Sequence, residues 1–380
     1  MEQEPLNAPA VRAEVRKFIE RARSDGLFSA QCDSWLCGWN PEFSRRLAQR
    51  GWIGVTVPAE FGGRGRGHVE RHVIIEELLA AGAPVAAHWM ADRQVAPALL
   101  RNGTPHQKRA YLPGICAGEL YFAIGMSEPD SGSDLASVKT RATRDTDGAW
   151  VLEGTKVWTS GAHRSHYMVV LARTDASTSK RHEGLTQFIV SLASAGISVR
   201  PVRFPNGEHH FNEVHFSGVR LDASHVLGDV GNGWHQVMTE LVYERSGPER
   251  FLSTLPLLES ARRVRLSAGL PMSVGFALSR LWAIRRASYQ VAERFAQGDD
   301  PAILGAIVKD VGSRLEGDLI NSSRELVGSA DPHADPEVAT ELAVAHDLLR
   351  QATLHSPGFT LRGGTNEIMR TLVGKAVLAN

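Results

Sequence analysis

The chain has 380 residues and carries 42 Lys plus Arg against 42 Asp plus Glu, so its formal net charge is zero. That balance removes any overall electrostatic argument for a nucleic-acid or anionic-membrane partner. At roughly 150 residues per domain the length suggests two or three domains, and 43% hydrophobic with 22% charged residues is the composition of a soluble globular enzyme. No apolar run approaches the ~18 residues that span a bilayer. The opening, MEQEPLNAPAVRAEV, has neither a basic n-region nor an apolar h-region, so a cytoplasmic location is the default expectation. Cys32, Cys37 and Cys116 lack C-x-x-C spacing and indicate neither a disulfide framework nor a metal site.

Residues 1–118 read as a helical domain. Val11, Val15, Phe18, Ile19 and Ala22 place one apolar stripe on one helix face, and helices continue through Val73 to Leu79 and Val95 to Leu100. Thr104, Pro105 and Gln107 form a helix start with a capping box, and that helix should end near Gly114 or Gly118. From Leu120 the period changes to short β-prone runs such as YFAIGM, KVWTS, YMVVLA and LTQFIV, separated by DG, EG, NG and SG turns. Eight to ten such strands over 119–232 predict a compact antiparallel barrel or sandwich. The 3.6-residue period returns at Trp234, predicting a helical bundle over 233–380 with helices at about 233–262, 272–297, 302–328 and 335–355 and a shorter one after Thr365. Residues 329–337, SADPHADPE, read as a loop.

The glycine run Gly62 to Gly67 does not satisfy G-x-G-x-x-G and reads as a turn before the Val73 helix. His68 and His72 are four apart, but Val69 breaks the H-E-x-x-H zinc pattern, leaving solvated helix histidines as the expectation. The segment Ile124 to Asp134, I-G-M-S-E-P-D-S-G-S-D, leaves a strand through hydroxylic and Gly/Pro residues. It could be an ordinary turn or a cradle for a polar ligand. Downstream, Val157-Trp158-Thr159-Ser160-Gly161 sets a flat indole beside two hydroxyls, suited either to a core or to a planar heteroaromatic ring.

Taken in order, F-A-I-G-M-S-E-P-D-S-G-S-D-L, K-V-W-T-S-G-A, L-x-x-E-R and G-G-T-N-E-I-M-R resemble acyl-CoA dehydrogenases, as does G-W-I-G-V-T-V-P-A-E-F-G-G at 51 to 63. The resemblance runs from about residue 10 to 378. It implies an α+β fold with an N-terminal helical domain, a middle antiparallel β-barrel and a C-terminal four-helix bundle, with FAD between barrel and bundle. Position by position, it implies Ile124, Met126 and Ser127 at the isoalloxazine, Trp158 packed on the flavin, and Thr159 and Ser160 near N5 and the ribityl chain. Thr365 and Glu367 would meet the FAD pyrophosphate and ribityl region, although Glu367 stands where many relatives have Gln. Ser133, Arg245, Gly363 and Gly364 fall on the substrate side.

Most relatives place the α-proton-abstracting Glu immediately before the C-terminal G-T pair, where this chain has Gly363. A minority branch, including isovaleryl-CoA dehydrogenase, carries it on the first bundle helix just before an Arg, which here is Glu244. Val237, Leu241, Glu244 and Pro248 share one face of the expected helix, so the carboxylate projects from an apolar stripe whose desolvation would suit a general base. The alternative is a buried Glu paired with Arg245 or with an Arg of another helix. The bare Gly363 is expected to leave open space, so that Gly363→Glu could restore activity to Glu244→Gln, unless Gly363 serves a positive φ.

Two family patterns that reach a neighbouring subunit's FAD, R-x-x-F-G and Q-x-x-G-G, are missing at 262–276 and 323–333. The resemblance therefore implies an FAD-dependent enzyme converting an acyl-CoA to a trans-2-enoyl-CoA, with hydride leaving to flavin N5 and electrons passing to an electron-transfer flavoprotein. Apolar residues on the bundle helices beyond 270, such as Trp282, Ile307 and Leu342, predict a homo-oligomer, a dimer or a tetramer, and the resemblance adds a hetero-oligomer with a related subunit, of the kind that acts on fatty or steroid side-chain thioesters. The rivals are a flavin oxidase, monooxygenase or desulfinase on the same fold, and a weakly catalytic partner subunit.

Overall fold

The computed structural model describes residues 7–264, 271–330 and 336–378. In chain order it runs helices as far as Cys116, strands from Phe122 to Leu227, and helices again from Gly233. Compactness cuts across that order. One unit comprises the chain up to Trp39, Arg66–Val85 and everything from Val242; the other comprises Asn40–Gly65 and Ala86–Leu241.

The second unit is built on eight strands: β1 Phe122–Gly125, β2 Arg141–Arg144, β3 Trp150–Ser160, β4 Tyr167–Arg173, β5 Leu185–Ser191, β6 Ile197–Arg203, β7 His209–Leu221 and β8 Val226–Leu227. They pair in the order β6-β7-β3-β2-β4-β5-β8, with β1 parallel to β4 off that path. The acyl-CoA dehydrogenase layout of helices, sheet and helices is present, but the expected closed antiparallel barrel is not. The described sheet is open and mixed, because β4 takes both β1 and β2 as parallel neighbours. Its end strands suit an edge: β6 carries Arg200, Pro201 and Arg203, and β8 has two residues. Alternation sorts the buried residues of β4 and β5. Met168, Val170, Phe188 and Val190 join one core, while Val169 and Ile189 pack with Leu99, Leu112 and Ile115 of the helices Ala96–Asn102 and Pro105–Cys116. The capping box at Thr104 forms as expected, with Thr104 Oγ1 accepting from Gln107 N at 3.1 Å and Gln107 Oε1 from Thr104 N at 3.0 Å.

The first unit gathers the helices Ala8–Ser24 and His68–Ala80 with Leu255–Val264, Met272–Gln297, Ala302–Gly328, Pro336–His355 and Asn366–Leu378. Val15, Phe18, Ile19 and Ala22 are buried along the expected stripe. His72 corrects the expectation of a solvated histidine: it is buried edge-on against Tyr289, 5.7 Å between ring centroids, and burial pushes its pKa down to about 4. His68 is half-buried, 5.3 Å from the Phe295 ring, and is lowered in the same way. The expected helix 233–262 is also corrected. Gly233–Ser246 stops before Gly247 and Pro248, a 3-10 turn covers Pro248–Arg250, and a new helix starts at Leu255. Pro248 has no N–H to give the preceding turn, and its ring obstructs the carbonyl of the residue four back. Pro248 therefore leaves the helix face expected for it. Residues 265–270 and 331–335, on which parts of the missing-pattern segments and of the 329–337 loop fall, lie outside the described residues.

Within the sheet unit, the Ile124–Ser127 strand end is tied to β3 by a buried ion pair. Lys156, wholly buried, donates to Met126 O at 3.0 Å and to Glu128 Oε1 at 2.8 Å, while Val157 N donates to Ser127 O at 2.9 Å. Burial alone would raise the Glu128 pKa. The Lys156 ammonium and donors from Lys139 and Thr140 outweigh it and hold the carboxyl below its ordinary range. Removing one member strands a buried charge, so Lys156→Met is expected to cost about 3–5 kcal/mol, and adding Glu128→Gln to recover much of that loss. Urea denaturation of the single and double variants checks this; equal destabilisation of both would contradict it.

Candidate active site

The site residues expected from sequence fall into two groups, one in each unit. In the sheet unit, Ile124, Met126 and Ser127 are half-buried at the end of β1, and Ser133 is exposed in the following loop. Trp158 is the conspicuous member. β3 and β7 shift register between Lys156 and Thr159, so that Val157 and Trp158 together stand opposite the single residue Glu213. This β-bulge turns the Trp158 backbone to φ +60° and leaves the residue 58% exposed, its ring edge-on to Phe211 at 5.8 Å. A bulky residue in the left-handed region stores strain. Beside it Thr159 is fully buried, its carbonyl accepts from Asn212 Nδ2 at 2.9 Å, and its Oγ1 has no partner among the described residues. An outward indole next to a hydroxyl without a partner fits a planar heteroaromatic ring better than it fits a closed core. Ser160 follows, half-buried, at the end of β3.

In the helical unit, Glu244 lies in the last turn of Gly233–Ser246. Because the chain turns back after Gly247, Arg250 Nε donates to Glu244 O at 2.9 Å and Arg250 Nη2 to Glu244 Oε1 at 3.2 Å. The cation is Arg250, neither Arg245 nor an Arg of another expected helix; Arg245 instead donates from Nε to Gly363 O at 3.2 Å. Gly363 and Gly364 hold φ of +70° and +89°. Space at Gly363 is not open as expected. A Cβ there would lie 2.6 Å from Arg250 Nη2 and 3.3 Å from Glu244 Oε1, so both backbone and neighbours oppose the Gly363→Glu rescue. Thr365 caps the helix Asn366–Leu378, its O and Oγ1 accepting from Met369 N at 3.1 Å and Ile368 N at 3.4 Å. Glu367 is exposed, and its own backbone N–H with Thr365 holds its carboxyl below the ordinary range.

The family model of the acyl-CoA dehydrogenase N-terminal domain matches residues 7–119, and that of the middle domain matches 123–219. Acyl-CoA dehydrogenase FadE29 of Mycobacterium tuberculosis is 34% identical over 346 residues, covering 88% of this chain and 87% of that protein. The chain belongs to the acyl-CoA dehydrogenase family. As a member it is an oxidoreductase, and acyl-CoA dehydrogenation is its reaction class. Among solved structures, the Tcur3481-Tcur3483 steroid ACAD is similar with a TM-score of 0.84 at 28% identity, over 100% of this chain and 99% of that one. The ChsE4-ChsE5 complex from Mycobacterium tuberculosis is similar at 0.79 and 28%, over 100% and 99%.

Sequence reading missed Arg250 and Lys309 in this acyl-CoA dehydrogenase. The G-P pair at 247–248 was the available signal for Arg250, since it breaks the helix. Lys309, fully buried on Ala302–Gly328, carried no local signal. Its Nζ donates to Thr360 O at 2.8 Å and Asn366 Oδ1 at 2.6 Å, bracketing the turn that holds Gly363 to Thr365. Burial, helped by Arg250, pushes its pKa from 10.5 down to about 7. The folded state thus resists protonating Lys309, and the stability this contributes is present above about 10.5 and lost as pH falls toward about 7. Met at this position does not titrate. The unfolding free energy of the parent protein minus that of Lys309→Met is expected to rise between pH 7 and 10, read from urea denaturation at matched pH; a flat difference would contradict the depressed pKa.

Proposed function

We propose that the chain carries out FAD-dependent α,β-dehydrogenation of an acyl-CoA thioester to a trans-2-enoyl-CoA, with Glu244 removing the α-proton. The observation that carries this is the convergence at Gly363. A side chain there would begin 3.3 Å from Glu244 Oε1, so the carboxylate from the helix serves the same space as one delivered from the turn. By the resemblance, Ile124, Met126, Ser127, Trp158, Thr159, Ser160, Thr365 and Glu367 would hold FAD. When bound, FAD supplies the acceptor for the β-hydride at N5. Arg245 braces the carbonyl of Gly363, and by the resemblance Ser133, Arg245 and Gly364 would be substrate-binding residues. Electrons leave to an electron-transfer flavoprotein.

Resemblance to a steroid ACAD supports a bulky acyl group, and resemblance to a complex of two named chains supports assembly with a related subunit. Exposed apolar side chains agree with an oligomer. Met272, Phe276, Trp282 and Ile307 are exposed, whereas Leu342 is buried within its own chain. Among the described residues no helix is long and apolar enough to cross a membrane.

Anaerobic bleaching of the flavin by butyryl-, isovaleryl-, octanoyl- and cholanoyl-CoA tests the reaction and ranks the acyl groups. Glu244→Gln should slow flavin reduction by roughly 10²- to 10⁴-fold while FAD content stays near that of the parent. Reduction at the parent rate would refute Glu244 as the base. In analytical ultracentrifugation the protein, alone or co-expressed with a related subunit, should sediment as a dimer or larger; a concentration-independent monomer in both cases would refute the assembly.

A further inference from the structure

We propose that Arg250 is a positioning residue for proton abstraction, holding the Glu244 carboxylate in one orientation, and that the missing side chain at residue 363 is what gives its guanidinium room. This rests on the reading of Glu244 as the base. One guanidinium grips both parts of that residue, Nε on its main-chain oxygen at 2.9 Å and Nη2 on its carboxylate at 3.2 Å. The two side chains differ in access: Arg250 is 3% exposed and Glu244 18%. The arginine therefore holds the carboxylate from a covered position, while the glutamate side chain keeps part of its exposure.

Arg250 is itself held. Its Cζ lies 5.5 Å from the Trp35 ring, and Glu249 Oε1 lies 4.0 Å from its Nε. Trp35 also carries Arg362, with Cζ at 4.8 Å, and Arg362 is tied to the buried Asp33 at 2.7 Å. A glutamate side chain on a helix end has three rotatable bonds and many staggered states. A fixed fork reduces them to one. The constraint from Gly363 is steric as well as conformational, since its φ of +70° already disfavours a side chain. A methyl at that position would begin 2.6 Å from Nη2, and the guanidinium tip is the group able to move away.

Misplacing a reacting group by about 1 Å can cost ~10²-fold in rate. Arg250→Met should therefore slow anaerobic flavin reduction by about that factor with KM for the thioester little changed. The substrate is whichever thioester of the bleaching panel reduces the parent fastest, used with and without α-deuterium. The α-deuterium effect on flavin reduction should rise in Arg250→Met, because proton abstraction becomes more limiting. Arg250→Lys should recover part of the rate. Gly363→Ala should reproduce the slow phenotype with Arg250 present and add little to Arg250→Met, since the group it displaces is already gone. If Arg250→Met does not fold, Gly363→Ala alone decides, through the same rate and isotope effect. Parent rate and isotope effect in Arg250→Met, or in Gly363→Ala where that variant decides, would overturn the proposal, as would full additivity of the two changes. Failure of the base reading is separate: it appears as parent-like reduction by Glu244→Gln, whatever Arg250→Met does.

Discussion

In a continuous α-helix, residues six apart lie about 120° apart around the axis and ~9 Å apart along it, too far apart for Arg250 to hold Glu244. The break at Gly247 and Pro248 removes that separation. Gly247 takes an extended conformation at φ −77° and ψ 162°, and a Cβ on it would strike Glu249 Oε2 at 1.9 Å. Pro248 then fixes the start of a single tight turn, and Arg250 arrives beneath the helix it has just left. The last turn of a helix exposes carbonyls with no intrahelical donor. Arg250 Nε satisfies one of them, that of Glu244, while the rest of the fork reaches the carboxylate. One backbone interruption thus sets the orientation of the side chain on which the proposed chemistry depends.

A covered arginine needs more than one carboxylate around it, because desolvating a charge without hydrogen bonds and counter-charges is costly. The surrounding residues meet that need in layers. Glu249 sits within 4.0 Å of Arg250, Trp35 offers a ring face, and Ser253 N and Thr254 N at the end of the turn donate to the buried Glu316 at 2.7 and 2.9 Å. Asp33, itself at φ +55°, binds Arg362 and His355 through one oxygen. These groups come from five separate stretches of the chain, so the geometry near Glu244 is a property of the assembled unit and not of the helix that carries it.

That dispersal explains what the sequence could and could not reveal. Periodicity located Met272–Gln297, Ala302–Gly328 and Pro336–His355 because each buries a stripe at helical spacing. The Thr104 capping box was legible because all its atoms lie within four residues. The first bundle helix was read through its break, since Leu252, Leu255 and Leu258 continue the apolar period past Pro248 and mask the proline. His72 was misplaced because its partner, Tyr289, lies over 200 residues away. Sheet closure was illegible for a related reason: alternation says which face of a strand is buried, but not which strand pairs with it. Resemblance supplied Trp158 and Glu244. The bulge that turns Trp158 outward and the arginine behind Glu244 came only with the fold.

The two groups of site residues solve one structural problem in the same way. Each contains backbone held where ordinary residues resist being placed, Trp158 at φ +60° in the sheet unit and Gly363 and Gly364 at positive φ in the helical unit. Such segments cannot join a regular ladder, and their carbonyls, once covered, need donors from elsewhere. In both units the donor is a basic side chain: Lys156 on Met126 O, Lys309 on Thr360 O, Arg245 on Gly363 O. An ammonium offers three donors and a guanidinium five, so a single side chain can hold a carbonyl and a second group at once, as Lys156 does with Glu128 and Lys309 with Asn366. Apolar packing would serve stability as well or better, since buried ion pairs contribute little net free energy. It could not fix the direction of a carbonyl or a carboxylate, and that direction decides whether an irregular loop presents its reactive groups to a substrate or folds them against the protein.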